Sequence, residues 1–216
     1  MLNQIIEKIE NERVIAIVRG IDSSKIVDLA NALYKGGISL VEVTFNQKSP
    51  ETFIDTAKAI SLIKDNCTYM TVGAGTVLTT EQVDIAYNAG AKFIISPDSD
   101  QNVIKHTVQK GMVSIPGAYT ASEAKTAHQA GAHFVKLFPC MDASYLKAVK
   151  APLSHIKFLA VGGVNDKNAI EYINAGAVGV GVGSSLVNKK YVENGDFDKI
   201  TKIALSLVES VKGAKR

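Results

Sequence analysis

Cysteine is scarce in this chain. Cys67 and Cys140 are its only two, too few for a disulfide framework and at no metal-ligand spacing, so a reducing cytoplasm is the expected setting. Charge of one sign is scarce too: 24 Lys and Arg against 21 Asp and Glu leave a formal +3. Beyond the short C-terminal "KGAKR" no basic run offers a footprint for nucleic acid. Apolar runs are broken well before membrane-spanning length. The opening "MLNQIIEKIENERV" mixes acids with apolar residues, which suits an amphipathic helix and not a secretory signal. Linkers and low-complexity segments are missing, so the 216 residues are expected to form a single domain, 1–216. His106, His128 and His133 lie on or beside helical segments and His155 precedes a strand, so no His/acid cluster suggests a metal site.

What is present is alternation. The runs 14–19, 40–45, 69–75, 92–97, 112–117, 134–139, 157–163 and 178–183 read as strands. Helical patterns lie between them. Asp22 precedes one, Ser49-Pro50 puts proline at the first helical position of another, and "TTEQ" (79–82) and "TASE" (120–123) have capping-box spacing. Gly36, Gly90, Gly111, Gly131 and Gly176 follow helical runs as C-terminal glycines do. "AGA" recurs at 89–91, 130–132 and 175–177, each time before a strand. Eight strands alternating with eight helices predict an α/β fold, a (β/α)8 TIM barrel with an extra N-terminal helix. The alternative is an open doubly wound sheet, but no G-x-G-x-x-G opens the first helix.

Parallel strands are normally near-continuous apolar runs. Three strands here carry a charge: Arg19 ends the first, Glu42 sits in "VEVTF" and Lys136 in "FVKLFP". Side chains alternate along a strand. With Val41, Val43, Val135 and Leu137 against the helices, Glu42 and Lys136 turn into the barrel, and Ile15, Ile17 and Arg19 share one face. Buried ion pairs stabilise poorly compared with apolar packing, so chemistry explains the set better than architecture. A desolvated lysine beside another cation becomes a nucleophilic amine that forms a Schiff base with a ketone. Glu42 would then shuttle protons, and Arg19 would hold a carboxylate through paired hydrogen bonds.

The turns "VGGV" (161–164) and "GVGSS" (181–185) follow the last two strands, where barrels often bind phosphate through backbone N–H groups and a helix N-terminus. Thr76, after "GAG", reads equally as a rim hydroxyl or as a helix-start residue. Cys140 reads as a bystander near the site. These residues leave two other readings open, a phosphosugar epimerase or isomerase and a phospholigand-binding barrel without catalysis. Neither gives an interior lysine a task.

Together "RVIAIVRG", "VEVTF", "GAGTV", "SIPGAYTASEA", "FVKLFP" and "VGGV" resemble the 2-keto-3-deoxy-6-phosphogluconate (KDPG) aldolases, including bifunctional members that also cleave 2-keto-4-hydroxyglutarate. The resemblance runs from about residue 10 to about residue 190. It implies a cytoplasmic homotrimer that splits a phosphorylated keto acid into pyruvate and glyceraldehyde 3-phosphate, with no cofactor, metal, nucleic acid or membrane. It also implies Lys136 as the Schiff-base lysine and Glu42 as general acid/base. Arg19 and Thr76 would hold the pyruvate carboxylate, Phe138 and Pro139 wall the lysine, and Gly162, Gly163, Gly183 and Ser184 bind phosphate. The chain departs from the family's common wording at "AVGGV" for "PTGGI", "LFPCM" for "FFPAE" and "SPD" for "SPG".

Overall fold

The structure is a computed structural model that describes residues 2–213, so the last three residues of "KGAKR" lie outside it. Its strands are β1 (Val14–Val18), β2 (Leu40–Thr44), β3 (Thr71–Gly75), β4 (Phe93–Ile95), β5 (Val113–Ile115), β6 (Gly117–Ala118), β7 (Val135–Leu137), β8 (Phe158–Val161) and β9 (Gly179–Val182). All pairings are parallel, in the order β5-β4-β3-β2-β1-β9-β8-β7-β6. The two ends of that order, β5 and β6, are one strand position interrupted by Pro116. Proline has no N–H for the ladder, although its carbonyl accepts from Lys136 N at 2.8 Å. The sheet therefore comes round on itself as a nearly closed barrel with eight strand positions, as the alternation predicts.

The helices are α1 (Leu2–Glu12), α2 (Ile26–Lys35), α3 (Phe53–Asn66), α4 (Thr80–Ala89), α5 (Gln101–Gln109), α6 (Ala121–Gln129), α7 (Ala143–Lys150), α8 (Ala169–Asn174), α9 (Lys189–Asn194) and α10 (Phe197–Lys212). Outward-facing residues such as Val14, Ala16, Val41, Val43, Val135 and Leu137 pack against the helical layer. Inward-facing Ile15, Leu40, Phe93, Val113, Ile115, Phe134 and Leu159 form a second core, closed at the N-terminal end of the barrel by Ile9 of α1. Each such side chain contributes ~1.5–3 kcal/mol by burial. This inner core fills only the lower part of the barrel. One step further along the same inward rows, Leu40 gives way to Glu42 and Phe134 to Lys136.

Several local expectations change. Most strands end one or two residues before the predicted runs do, and the remaining residues lie in the loops that form the rim; β3 ends at Gly75 as expected. Ser49 makes no capping hydrogen bond, and Pro50 opens a 3-10 turn instead. "TASE" forms its capping box in full, whereas in "TTEQ" only Thr79 keeps its part, accepting from Gln82 N. Gly36 is not left-handed; it lets α10 approach, since a Cβ there would lie 2.3 Å from the Ala204 Cβ.

Candidate active site

Alternation along β2 and β7 puts Glu42 and Lys136 inside the barrel, only 1% and 6% exposed. Gly75 makes room for the carboxylate: a Cβ on Gly75 would fall 1.6 Å from Glu42 Oε1. The other oxygen, Oε2, is buried with no hydrogen-bond partner. An orphaned carboxylate oxygen is expensive unless the group holds a proton or awaits a ligand. Burial raises the Glu42 pKa, with the charges of Lys136 and Arg19 opposing it. Burial likewise lowers the Lys136 pKa; Glu42 opposes that shift and Arg19 adds to it. Both shifts favour the uncharged forms, a proton-carrying acid beside a free amine. The ring of Phe138 lies 4.5 Å from Lys136 Nζ, and Pro139 follows it, exposed. Cys140 is buried and its thiol is pushed up to about 12, which makes it an inert neighbour.

Arg19 differs from the expectation. It does not converge inside the barrel but lies exposed at the rim, just past β1. There its Nη2 donates to Thr76 Oγ1 at 3.3 Å. Thr76 has φ 55°, a left-handed backbone that a β-branched residue rarely adopts. It caps no helix, since α4 is capped by Thr79. Gln47 Nε2 donates to the Thr76 carbonyl at 2.6 Å, and Gln82 Nε2 donates to Gln47 Oε1 at 2.9 Å. In the sequence Gln47 carries no signal, and Gln82 only completes the capping-box spacing of "TTEQ". Gly75 is, in the sequence, simply the second glycine of "GAG".

Gly162 and Gly163, after β8, have φ 122° and 67°. A Cβ on Gly163 would meet nothing within 4 Å, so that peptide borders open space. Asn165 and Asn168 both donate to the Gly163 carbonyl. After β9, Leu186 and Val187 donate to the Gly183 carbonyl, which makes a tight turn with Ser184 on its exposed side. Ser185 Oγ ties the two loops together by donating to the Val164 carbonyl at 2.6 Å. Among the described residues, the backbone N–H groups of Gly163, Val164, Ser184 and Ser185 have no protein acceptor. The helices begin later than expected, at Ala169 and Lys189, so these loops offer backbone N–H groups without a helix directly behind each glycine. Val161, at the end of β8, is buried with a side chain that crowds Gly181.

Two crevices lie elsewhere. One of about 440 Å³ opens between the β1 and β2 loops and α9, and one of about 570 Å³ at the N-terminal end beside Arg13 and Tyr69. Neither is lined by Glu42 or Lys136, the two ionisable side chains buried inside the barrel. Among the described residues no cluster of three His, Cys, Asp or Glu could hold a metal.

The model of the KDPG and KHG aldolase family matches residues 5–203. A 2-dehydro-3-deoxy-phosphogluconate aldolase of Treponema pallidum is 34% identical over 96% of this chain and 97% of its own. A 2-dehydro-3-deoxy-6-phosphogalactonate aldolase of Escherichia coli is 39% identical over 80% of this chain and 83% of its own. A crystal structure of KDPG aldolase from Legionella pneumophila, with pyruvate captured as a covalent carbinolamine, superimposes with a TM-score of 0.81. It is 28% identical, covering 96% of this chain and 98% of that one.

Proposed function

This chain belongs to the KDPG and KHG aldolase family, and on that premise we propose that it is a class I aldolase acting on 2-keto-3-deoxy-6-phosphogluconate. Its 6-phosphogalactonate epimer and 2-keto-4-hydroxyglutarate are further substrates. The amine of Lys136 attacks the C2 ketone; Glu42 gives its proton to the carbinolamine hydroxyl, which leaves as water and yields the protonated Schiff base beside a Glu42 carboxylate. Glu42 takes the proton from the C4 hydroxyl as the C3–C4 bond breaks, releasing glyceraldehyde 3-phosphate. The electron pair of that bond flows into the iminium and leaves an enamine of pyruvate. Protonation at C3 by the same carboxyl, then hydrolysis, frees pyruvate and returns the amine. Arg19 and Thr76 hold the carboxylate, Phe138 and Pro139 wall the reacting carbon, and Gly162, Gly163, Gly183 and Ser184 receive the phosphate.

The observation that carries this reading is the pair of interior ionisable groups, both shifted toward neutrality, above an apolar floor. A supporting structural role would pair them, yet among the described residues neither joins an ion pair. The chain as a single domain, 1–216, fits one barrel serving one site. Exposed Phe138, Tyr119 and Met141 on the mouth side give an apolar rim suited to a closed homotrimer. No described helix is long and apolar enough to cross a membrane, in keeping with a cytoplasmic enzyme.

Borohydride reduction with pyruvate, read by mass spectrometry, tests the proposal. A pyruvyl adduct is expected on Lys136 and is expected to disappear, with C–C cleavage, in Lys136→Ala. Adduct on another lysine, or turnover in the variant, would overturn it.

A further inference from the structure

We propose that Gln82, acting through Gln47, is a positioning residue for the carboxylate-binding corner of the site; this rests on the roles given above to Arg19 and Thr76. Gln82 is 1% exposed although it sits on the first turn of α4, where a glutamine side chain ordinarily reaches water. Both ends of its amide are used. Leu78 N donates to Gln82 Oε1 at 2.7 Å, and Gln82 Nε2 donates to Gln47 Oε1 at 2.9 Å. Gln47 Nε2 then donates to the Thr76 carbonyl at 2.6 Å.

The direction of this relay is fixed. A backbone N–H can only donate and a backbone carbonyl can only accept. Leu78 N therefore sets the Gln82 amide, the Thr76 carbonyl sets the Gln47 amide, and the bond between the two glutamines can run only one way. The relay clasps the loop at two points two residues apart, the carbonyl of Thr76 and the N–H of Leu78. Beside the first of them Thr76 keeps a left-handed backbone that a β-branched residue holds only when its surroundings over-determine it. In that backbone its Oγ1 accepts from Arg19 Nη2. Released, Thr76 would relax toward an ordinary conformation, and Arg19 would lose the hydroxyl that aims it.

This explains why "TTEQ" forms only half of a capping box. Gln82 Oε1 accepts from Leu78 N, outside the helix, and Gln82 Nε2 donates to Gln47 Oε1 on the side of the barrel mouth. A helix-capping role alone would not need the donor end of the amide. Gln82→Glu separates the two roles, because a carboxylate still accepts from Leu78 N but cannot donate to Gln47.

The test uses the full chain and pyruvate itself. The pyruvate concentration that half-saturates borohydride trapping on Lys136 is measured for the native protein, Gln82→Glu, Gln82→Leu and Gln47→Glu. A lost hydrogen bond at the anchor predicts a rise of about three- to tenfold in each variant, with KM for the keto acid rising alongside and kcat falling less than KM rises. Thermal unfolding is followed in parallel, and Gln82→Glu is expected to stay folded even if Gln82→Leu does not. An unchanged half-saturation in Gln82→Glu and Gln47→Glu overturns the inference. So does a loss confined to kcat, or rescue by Gln82→Glu of a defect seen in Gln82→Leu. Absence of any adduct in the native protein would instead overturn the aldolase reading.

Discussion

The two halves of the barrel mouth are built on different principles. The half formed by β1, β2, β3 and β7 presents side chains: Lys136 and Glu42 inside, Arg19 and Thr76 at the rim. Each is held by a neighbour, Glu42 by the space over Gly75 and Thr76 by Gln47. The half formed by β8 and β9 presents backbone: the N–H groups of Gly163, Val164, Ser184 and Ser185, with Ser185 joining the two loops. Side chains can carry protons and form covalent bonds; peptide groups can only bind. On the proposed function, the first half carries the chemistry and the second receives the distal phosphate. Damage to the first should therefore lower turnover for every substrate, and damage to the second only for those with a phosphate.

The largest effect expected without touching an ionisable group comes from Gly75→Ala. The new methyl cannot coexist with Glu42 Oε1 in its present place, and a displaced proton carrier costs about 10²-fold or more in kcat. Glu42→Gln should cost a similar factor, while both variants still trap pyruvate on Lys136. The double variant should be little worse than either single one, because both remove the same function. Unchanged turnover in Gly75→Ala would show that the carboxylate works from another position.

Glu42→Gln also has a stability signature. The folded pKa of Glu42 is raised by burial above its unfolded value, so the folded state prefers the protonated form. The native protein thus keeps this stability below the unfolded pKa and loses it as pH rises through the folded one. Glutamine has no such loss. The gain in stability of Glu42→Gln over the native chain should grow from acid toward neutral pH in denaturant titrations, and a pH-independent difference would contradict the assigned burial shift.

A smaller effect is expected in the other half. Gly163 has room for a methyl but a left-handed backbone, which costs an alanine about 1–2 kcal/mol. Relief of that strain would turn the local N–H groups away. Gly163→Ala should lower kcat/KM for the phosphorylated keto acids by about three- to tenfold, with a lesser change for 2-keto-4-hydroxyglutarate, which has no phosphate. An equal loss on both kinds of substrate would erase the division between the halves.

The two halves were also unequally legible in the sequence. The barrel followed from alternation and the recurring "AGA", and Glu42 and Lys136 stood out because a charge inside an apolar strand has a direction fixed by alternation. Arg19 continues the row of Ile15 and Ile17 in the sequence yet lies exposed at the rim, because alternation gives the face of a residue and not where the strand stops; β1 ends at Val18. The glycines after β8 and β9 marked their turns, yet which N–H groups stay free depends on Asn165, Asn168 and Ser185 across loops. Gly75 and Gln82 were least legible. The importance of Gly75 lies in what Glu42 occupies above it. Gln82 had the spacing of a capping box, and only the tertiary position of Gln47 diverts its amide.

Val161 lies where the halves meet, and its substitution should have the smallest effect. It follows Leu159 and Ala160 on β8; Leu159 belongs to the inner core, so Val161 also faces inward. A Cβ on Gly181 would lie 2.8 Å from Val161 Cγ2, so the valine already fills the space beside β9. Threonine has nearly the same shape and differs by one hydroxyl. Where the family commonly reads "PTGGI", this chain reads "AVGGV". A hydroxyl here could bond a polar group of the aldehyde portion of the substrate, between the reacting carbon and the phosphate. A neutral hydrogen bond contributes ~0.5–1.5 kcal/mol, about two- to tenfold in rate. Val161→Thr should therefore shift the ratio of kcat/KM between the gluconate and galactonate epimers by no more than about tenfold. Pyruvate trapping on Lys136 should not change, since pyruvate has no aldehyde portion. A shifted ratio with constant trapping places Val161 on the recognition side of the boundary. An altered pyruvate saturation would place it with Lys136 and Glu42, and the boundary would then have to be drawn through β9.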